Sequence, residues 1–413
     1  MRVVHLTAAV SETSAPLRIH NALKFVGVDS KLAVLDTKIK YDYIMVIPKS
    51  TKYKIKNRLL YYQNQYKLKK FCDRENVPFS FGDIGVSLYR HPIVLEADII
   101  HLHWINGQYL SYKDISKLVA LGKPIVWTFH DSWPMTGGCH VRYGCEGFQK
   151  ECGKCPLLHS KKENDFTREI IEKKKKYYHT EFITTVSPSC WMHLNVNKSA
   201  LFQKSYNVQI GNPLDVSVYT PTNLDNHEEV RILFGASGAL ELEYKGYYYF
   251  AAAMQYLYEK YPDLASRIVI YIFGTEVVHF KELMRYPCIA KGYIHSEKEL
   301  VQVYQSADIY VFPSIDDNLP GTVMECLACE TPVVAFQTGG VPEMVHHKED
   351  GYVAEYKNAI DLAEGIVWVC NNNQANKLGK NGRKIIIEKY SMEDVGMQYK
   401  NLYEELCQRD KRR

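Results

Sequence analysis

Apolar runs too short for helices recur along the whole chain, each ending in polar or turn residues, with amphipathic stretches between several of them. Val3 to Leu6, Lys31 to Leu35, Ile99 to His103, Pro124 to Phe129 and Phe182 to Val186 form a first series, and Leu17 to Val26 is one of the amphipathic spacers. After Gly211-Asn212-Pro213-Leu214 a second series begins: Val230 to Phe234, Ile268 to Phe273, Ile309 to Phe312 and Pro332 to Ala335. Runs that stay apolar rather than alternating suit strands buried on both faces of a parallel sheet. Two such series of similar size predict an α/β chain of two doubly wound, Rossmann-like domains, residues 1–205 and 206–389, with a cleft where their strand C-termini face each other. A chain of 413 residues has room for both.

Charge is distributed unevenly between the halves. Residues 1–200 carry 30 Lys and Arg against 18 Asp and Glu, whereas the remainder carries 21 against 29. A basic first half predicts an anionic partner there, such as a membrane surface or a lipid-pyrophosphate acceptor. The positive charge is concentrated from Lys49 to Lys70, interleaved with Tyr61, Tyr62 and Tyr66, and again in Lys173 to Lys176. The alternative for either run is a solvated helix face. Nucleic acid is not expected, because no helix-turn-helix, zinc-finger or RNP-type pattern accompanies the charge. The N-terminus lacks the charged start and long apolar core of a secretory signal, and no apolar run reaches bilayer length. The expected location is therefore cytoplasmic, with peripheral attachment to the inner face of the membrane. In that reducing compartment the 11 cysteines read as thiols or metal ligands rather than a disulfide framework.

The chemistry is concentrated between Pro313 and Glu343. Asp317-Asn318-Leu319-Pro320-Gly321-Thr322 leads into a helix that carries Glu325, eight positions after Asp317. A carboxylate accepts hydrogen bonds from sugar hydroxyls, and amides at a helix start attract phosphates, so one strand–loop–helix unit can recognise both halves of a sugar nucleotide. The alternative is that Asp316 and Asp317 merely cap the helix beginning near Pro320. Upstream, Phe234 to Gly238 is a Gly-rich turn after a strand, followed by Lys245-Gly246. Its amides and the lysine suit pyrophosphate, although the spacing is neither a dinucleotide fingerprint nor a P-loop. Gly339-Gly340 allows close backbone approach, and Glu343 is placed to pin that loop.

This constellation resembles the E-x7-E region of the family 4 retaining glycosyltransferases of bacterial polysaccharide biosynthesis, and the resemblance spans nearly the whole chain. It implies a GT-B fold and retaining transfer of a hexose from a nucleoside diphosphate sugar to a carbohydrate or polyprenyl-pyrophosphate-linked acceptor in exopolysaccharide or lipopolysaccharide assembly. No cofactor is required by the resemblance, and the attack is front-face, with the diphosphate assisting deprotonation of the acceptor. Glu325 would bind the ribose, Asp317 the donor sugar, and Gly238, Lys245 and the backbone from Asn318 to Thr322 the phosphates or sugar. The first acid here is Asp317 rather than Glu, one methylene shorter. Glu241 and Glu243 stand where relatives often carry another basic residue. No Gly-Gly occupies the segment Ala8 to Arg18. The stretch 390–413 resembles the terminal helix that returns to the first domain.

In the first half, Ile99 to Gly107 and Trp127 to Asp131 each place polar residues immediately after an apolar strand, where open parallel sheets bind ligands. His103, His130 and Asp131 are thus expected to line the site. The resemblance makes His130 the donor-sugar contact, and Asp131 is placed to orient the imidazole or raise its pKa. A metallohydrolase built on His101, His103, His130 and Asp131 is a competing reading. Others are a sugar-nucleotide epimerase or a non-catalytic binder on the same scaffold.

The insertion 137–157 places Cys139, Cys145, Cys152 and Cys155 within seventeen residues, ending in C-x2-C beside Gly and Pro. Four thiolates at such spacing suit a closed, structural tetrahedral Zn2+ site; free thiols and disulfides are the alternatives.

Overall fold

The computed structural model describes the chain except residues 72–77, 223–226, 236, 237, 239, 241, 278, 279 and 411–413. Glu241 and the Ala236-Ser237 part of the Gly-rich turn lie outside the described residues. The chain divides into two compact units, Met1–Pro213 with Met392–Arg413, and Leu214–Ser391. The divisions fall a few residues beyond the expected 205/206 and 389/390.

The first unit contains β1 (Arg2–Leu6), β2 (Ala9–Val10), β3 (Asp29–Val34), β4 (Asp36–Thr37), β5 (Ile44–Val46), β6 (Ile99–Leu102), β7 (Ile125–Thr128), β8 (Ile183–Ser187) and β9 (Asn207–Gln209). Its main sheet runs β5-β3-β1-β6-β7-β8-β9, all parallel, with β2 and β4 forming a separate short pair. Side chains along a strand alternate between the two faces. Val4, Leu6, Ile100, Leu102, Ile125 and Trp127 build one apolar layer. Val3, Ile99, Val126 and Val186 build the other, under the helices Ala15–Phe25 and Met392–Asp410. These two helices pack closely because Gly396 lacks a side chain: a Cβ there would lie 2.5 Å from the Ala22 carbonyl oxygen. The ends of the chain thus complete one face of the first unit.

The second unit contains β10 (Val230–Gly235), β11 (Ile268–Phe273), β12 (Cys288–Gly292), β13 (Ile309–Phe312), β14 (Val333–Phe336) and β15 (Gly351–Ala354). Its sheet runs β12-β11-β10-β13-β14-β15, again all parallel. Strands β13 and β14 are fully buried, as their uninterrupted apolar character requires. Strand order reverses between β1 and β6 in the first unit and between β10 and β13 in the second. Connections leave on opposite faces at such a reversal, which opens a crevice at the strand C-termini.

Two helices settle the basic runs. Thr51–Phe71 carries Lys52, Lys54, Lys56, Arg58 and Lys67 and leaves Ile55, Leu59, Tyr62 and Tyr66 exposed. The second run does not form a free basic face. On the helix Phe166–Tyr178, Lys174 is fully buried, Lys173 pairs with Asp83 at 3.1 Å and Lys175 with Glu151 at 3.0 Å. Among the described residues no helix is long and apolar enough to cross a membrane.

Candidate functional site

In the second unit, the loops after β10 and β13 flank the reversal point. Lys245 Nζ lies 3.0 Å from Asp317 Oδ2, both side chains largely buried. Burial opposes the ammonium, but the Asp317 carboxylate and the Tyr244 ring outweigh it and raise the lysine pKa. The loops meet through backbone as well: Tyr244 O accepts from Ile315 N at 2.8 Å and from Ser314 Oγ at 3.0 Å. Gly246, at φ +80°, makes this approach feasible, since a Cβ would fall 1.9 Å from Pro313 O.

The helix Gly321–Ala328 starts after Pro320 with no side-chain cap. Asp317 pairs with Lys245 and does not cap this helix, so the capping alternative does not hold for it. The first-turn amides have no intrahelical acceptor, so positive potential stands at the loop where Lys245 lies. Asn318 is buried, and its carbonyl accepts from Gly340 N at 2.6 Å. Gly339 is equally committed: at φ +51°, a Cβ there would overlap Asp317 O at 1.5 Å. The Gly339-Gly340 turn thus buttresses the acidic loop.

Glu325 is only 3% exposed and accepts from Tyr304 OH at 2.5 Å. Burial raises the Tyr304 pKa, and Glu325 raises it further. Thr322 Oγ1 accepts from Tyr310 OH at 2.9 Å. Gly238 donates its amide to Gly274 O at 3.0 Å, so it shapes the turn. Leu319 sends its side chain into the core. Tyr304 and Tyr310 went unnoticed in the sequence because they sit in apolar helix and strand patterns.

In the first unit, a chain of imidazoles follows the reversal between β1 and β6. His20 Nδ1 meets Ser30 Oγ at 2.8 Å, Ser30 Oγ meets His5 Nε2 at 3.0 Å, His5 Nδ1 meets His103 Nε2 at 2.8 Å, and His103 Nδ1 meets His130 Nε2 at 3.0 Å. His101 is held by Thr128 Oγ1 at 2.7 Å and Tyr403 OH at 2.7 Å. His5, His101 and His103 bring ring nitrogens within 4.8 Å of one another. Both ring nitrogens of each already have hydrogen-bond partners, so this cluster is a satisfied polar core and lends no support to the metallohydrolase reading.

His130 follows β7, and the adjacent Asp131 charge does raise its pKa, but burial outweighs that effect. Burial lowers it to about 4, and the Asp131 charge recovers only part of that. The imidazole is neutral at physiological pH. The Asp131 carboxylate accepts from His140 Nδ1 at 2.6 Å, Trp104 Nε1 at 3.0 Å and the Trp133 amide at 2.8 Å. Burial would raise its carboxyl, yet His140 and these donors hold it below the usual range. Beside this group, a cavity of about 170 Å3 is lined by Tyr61, Asn64, Gln65, Asp83, Asn106 and Gln108, among others. Asn106 is 4% exposed and its Oδ1 lacks a hydrogen-bond partner.

All four clustered cysteines are free and line a second cavity, of about 30 Å3. Burial pushes Cys139 up to about 11 and Cys152 and Cys155 to about 12.

Residues 231–372 match the family model for glycosyl transferases group 1. WcaC of Escherichia coli (strain K12), named for glycosyl transfer in colanic acid biosynthesis, is 26% identical over 285 residues, which span 66% of each chain and thus just under two thirds of WcaC. The whole fold is similar to sucrose-phosphate synthase from Thermosynechococcus elongatus, with TM-score 0.65 and 16% identity over 98% of this chain and 99% of that one. It is also similar to Anabaena HepE in complex with UDP-glucose, with TM-score 0.62 and 12% identity over 98% and 100%. The fold is of the GT-B class.

Proposed function

We propose that this chain, whose residues 231–372 are a glycosyl transferases group 1 domain on a GT-B fold, transfers a hexose with retention from a nucleoside diphosphate sugar to a carbohydrate or lipid-linked acceptor of cell-surface polysaccharide. The observation that carries the reading is the Lys245–Asp317 pair beside the uncapped start of the helix Gly321–Ala328. Rupture of the donor's C1–O bond leaves negative charge on the diphosphate. A buried ammonium and preorganised amides stabilise that charge without reorganising. Asp317 then accepts from donor-sugar hydroxyls and Glu325 from the ribose, while Tyr304 fixes the Glu325 carboxylate. The acceptor oxygen forms the new bond to C1, and its proton passes to the departing diphosphate.

His130, neutral at working pH, serves as a hydrogen-bonding contact to the donor sugar. The cavity beside the basic helix, with its amides, carboxylate and aromatic edge, has the composition of a carbohydrate subsite and is assigned to the acceptor. The helix Thr51–Phe71, with lysines among exposed Tyr and Leu side chains, is assigned to anionic lipid at the cytoplasmic face of the membrane. Support for the donor class comes from the HepE complex with UDP-glucose.

A thermal-shift screen against UDP, GDP, ADP and dTDP sugars tests the donor assignment, since a ligand of the native state raises its melting temperature. Stabilisation by one nucleotide, followed by a glycosylated product only when acceptor is added, is the expected result. Donor turnover without acceptor would replace the transferase by an epimerase. Absence of any shift at saturating concentration would remove the donor-site assignment.

A further inference from the structure

We infer that Cys139, Cys145, Cys152 and Cys155 hold one structural zinc ion that braces the loop carrying His140, and through it Asp131. All four side chains line the same small cavity, of about 30 Å3. Its other walls include Phe79, Phe148 and Pro156. Gly147 N donates to Cys145 Sγ at 3.4 Å, and the carbonyl oxygens of Cys139 and Cys155 accept from Thr136 Oγ1 at 2.6 Å and Leu158 N at 3.2 Å, which pins the backbone around the cavity.

Two buried basic side chains stand beside the cavity: Lys174 Nζ donates to Thr136 O at 2.8 Å and to Trp133 O, and Arg142 lines the cavity itself. Binding of Zn2+ releases four thiol protons to solvent and leaves a centre of net charge −2, beside which the Arg142 guanidinium stands. Backbone geometry is fitted to the same end: Cys152, at φ +54°, and Lys154, at φ +41°, both adopt the left-handed region in this short turn. Among the described residues no three of these sulfurs lie within 4.8 Å of one another. Ligation therefore draws the loop inward, to Zn–S distances of about 2.3 Å.

The consequence for the neighbouring site is positional. Cys139 immediately precedes His140, whose Nδ1 holds Asp131 and whose Nε2 meets Ser80 Oγ at 2.8 Å. A metal on Cys139 fixes that histidine, and so the carboxylate adjoining His130.

The test is metal analysis of the full chain purified in reducing buffer without chelator, with X-ray absorption at the zinc edge. The expected result is one zinc per chain with four sulfur ligands. Exchange to Co2+ should give the charge-transfer and visible bands of a tetrahedral cobalt thiolate, and Cys152→Ser with Cys155→Ser should abolish them. Three results would overturn the assignment: folded wild-type protein that takes up no Zn2+ while four thiols react freely, disulfides among these cysteines, or a zinc edge showing nitrogen ligands. The last would move the metal to His5, His101 and His103. Because the absorption measurement uses the wild type, misfolding of the double variant does not weaken the test.

Discussion

Lys245 is the residue whose removal should be felt most in chemistry. Under the proposed function, Lys245→Ala takes away the ammonium assigned to the departing diphosphate and is expected to lower kcat by roughly 100-fold or more, the scale for removing one preorganised charge-stabilising donor. Steady-state kinetics in the folded variant check this, and unchanged kcat would remove Lys245 from the site. Tyr304→Phe is a subtler probe. It deletes the 2.5 Å hydrogen bond that fixes Glu325 while leaving the carboxylate in place. The donor KM should rise several-fold, about 1 kcal/mol, with little change in kcat. At this scale the sequence was partly legible. Asp317, Glu325 and Lys245 stand out in the sequence because they are charged residues in the loop and helix segments that follow apolar strands. Tyr304, Tyr310 and His140 do not, because a hydroxyl or imidazole on an otherwise buried position looks like core until its partner is placed. For His130 the effect of Asp131 was legible because the two are adjacent in sequence, whereas the burial that decides the net sign was not.

Elements add constraints that no single functional residue shows. The Gly339-Gly340 turn and the acidic loop are held at backbone contact, so Gly339→Ala should displace the Asp317 carbonyl as well as strain a left-handed φ. Donor affinity and melting temperature should both fall; a wild-type melting temperature with normal KM would show that the two loops are not coupled. The alternation of short apolar runs made the strands readable, since both faces of a parallel sheet demand apolar side chains. Lys173 to Lys176 was not readable as structure. Consecutive lysines on a helix look like one solvated patch, yet helical geometry sends Lys174 inward to the carbonyls of Trp133 and Thr136. The run Thr51–Phe71, by contrast, keeps Lys52, Lys54, Lys56 and Lys67 and the rings of Tyr61, Tyr62 and Tyr66 outside. It is expected to sediment the protein with anionic vesicles at low salt and release it at high salt; lack of binding at low salt would remove the membrane assignment.

At the scale of the whole molecule, the buried histidines set an acid limit. Burial lowers His20 to about 4, with Lys24 adding to the effect, and lowers His130 to about 4; His5, His101 and His103 are lowered as well. In the unfolded chain each ring takes up a proton near pH 6.5, so between 6.5 and 4 the unfolded state binds more protons and stability falls as pH drops. Full passage through that window costs roughly 3 kcal/mol for each of the two groups near 4. Urea midpoints at pH 7 and pH 4.5 should show the fall, and His20→Gln should make it shallower. A pH-independent midpoint would mean that these rings are not desolvated.

The helix Met392–Asp410 has a consequence for how the protein is made. It supplies Tyr399, Leu402 and Tyr403 to the apolar layer of the first unit and a hydroxyl to His101, although nearly two hundred residues intervene between the two stretches of that unit. A ribosome therefore delivers the entire second unit before it delivers the last piece of the first. The later-encoded unit is the first that can finish folding, while the earlier one waits for the helix Met392–Asp410 to cover His101 and complete one side of its sheet.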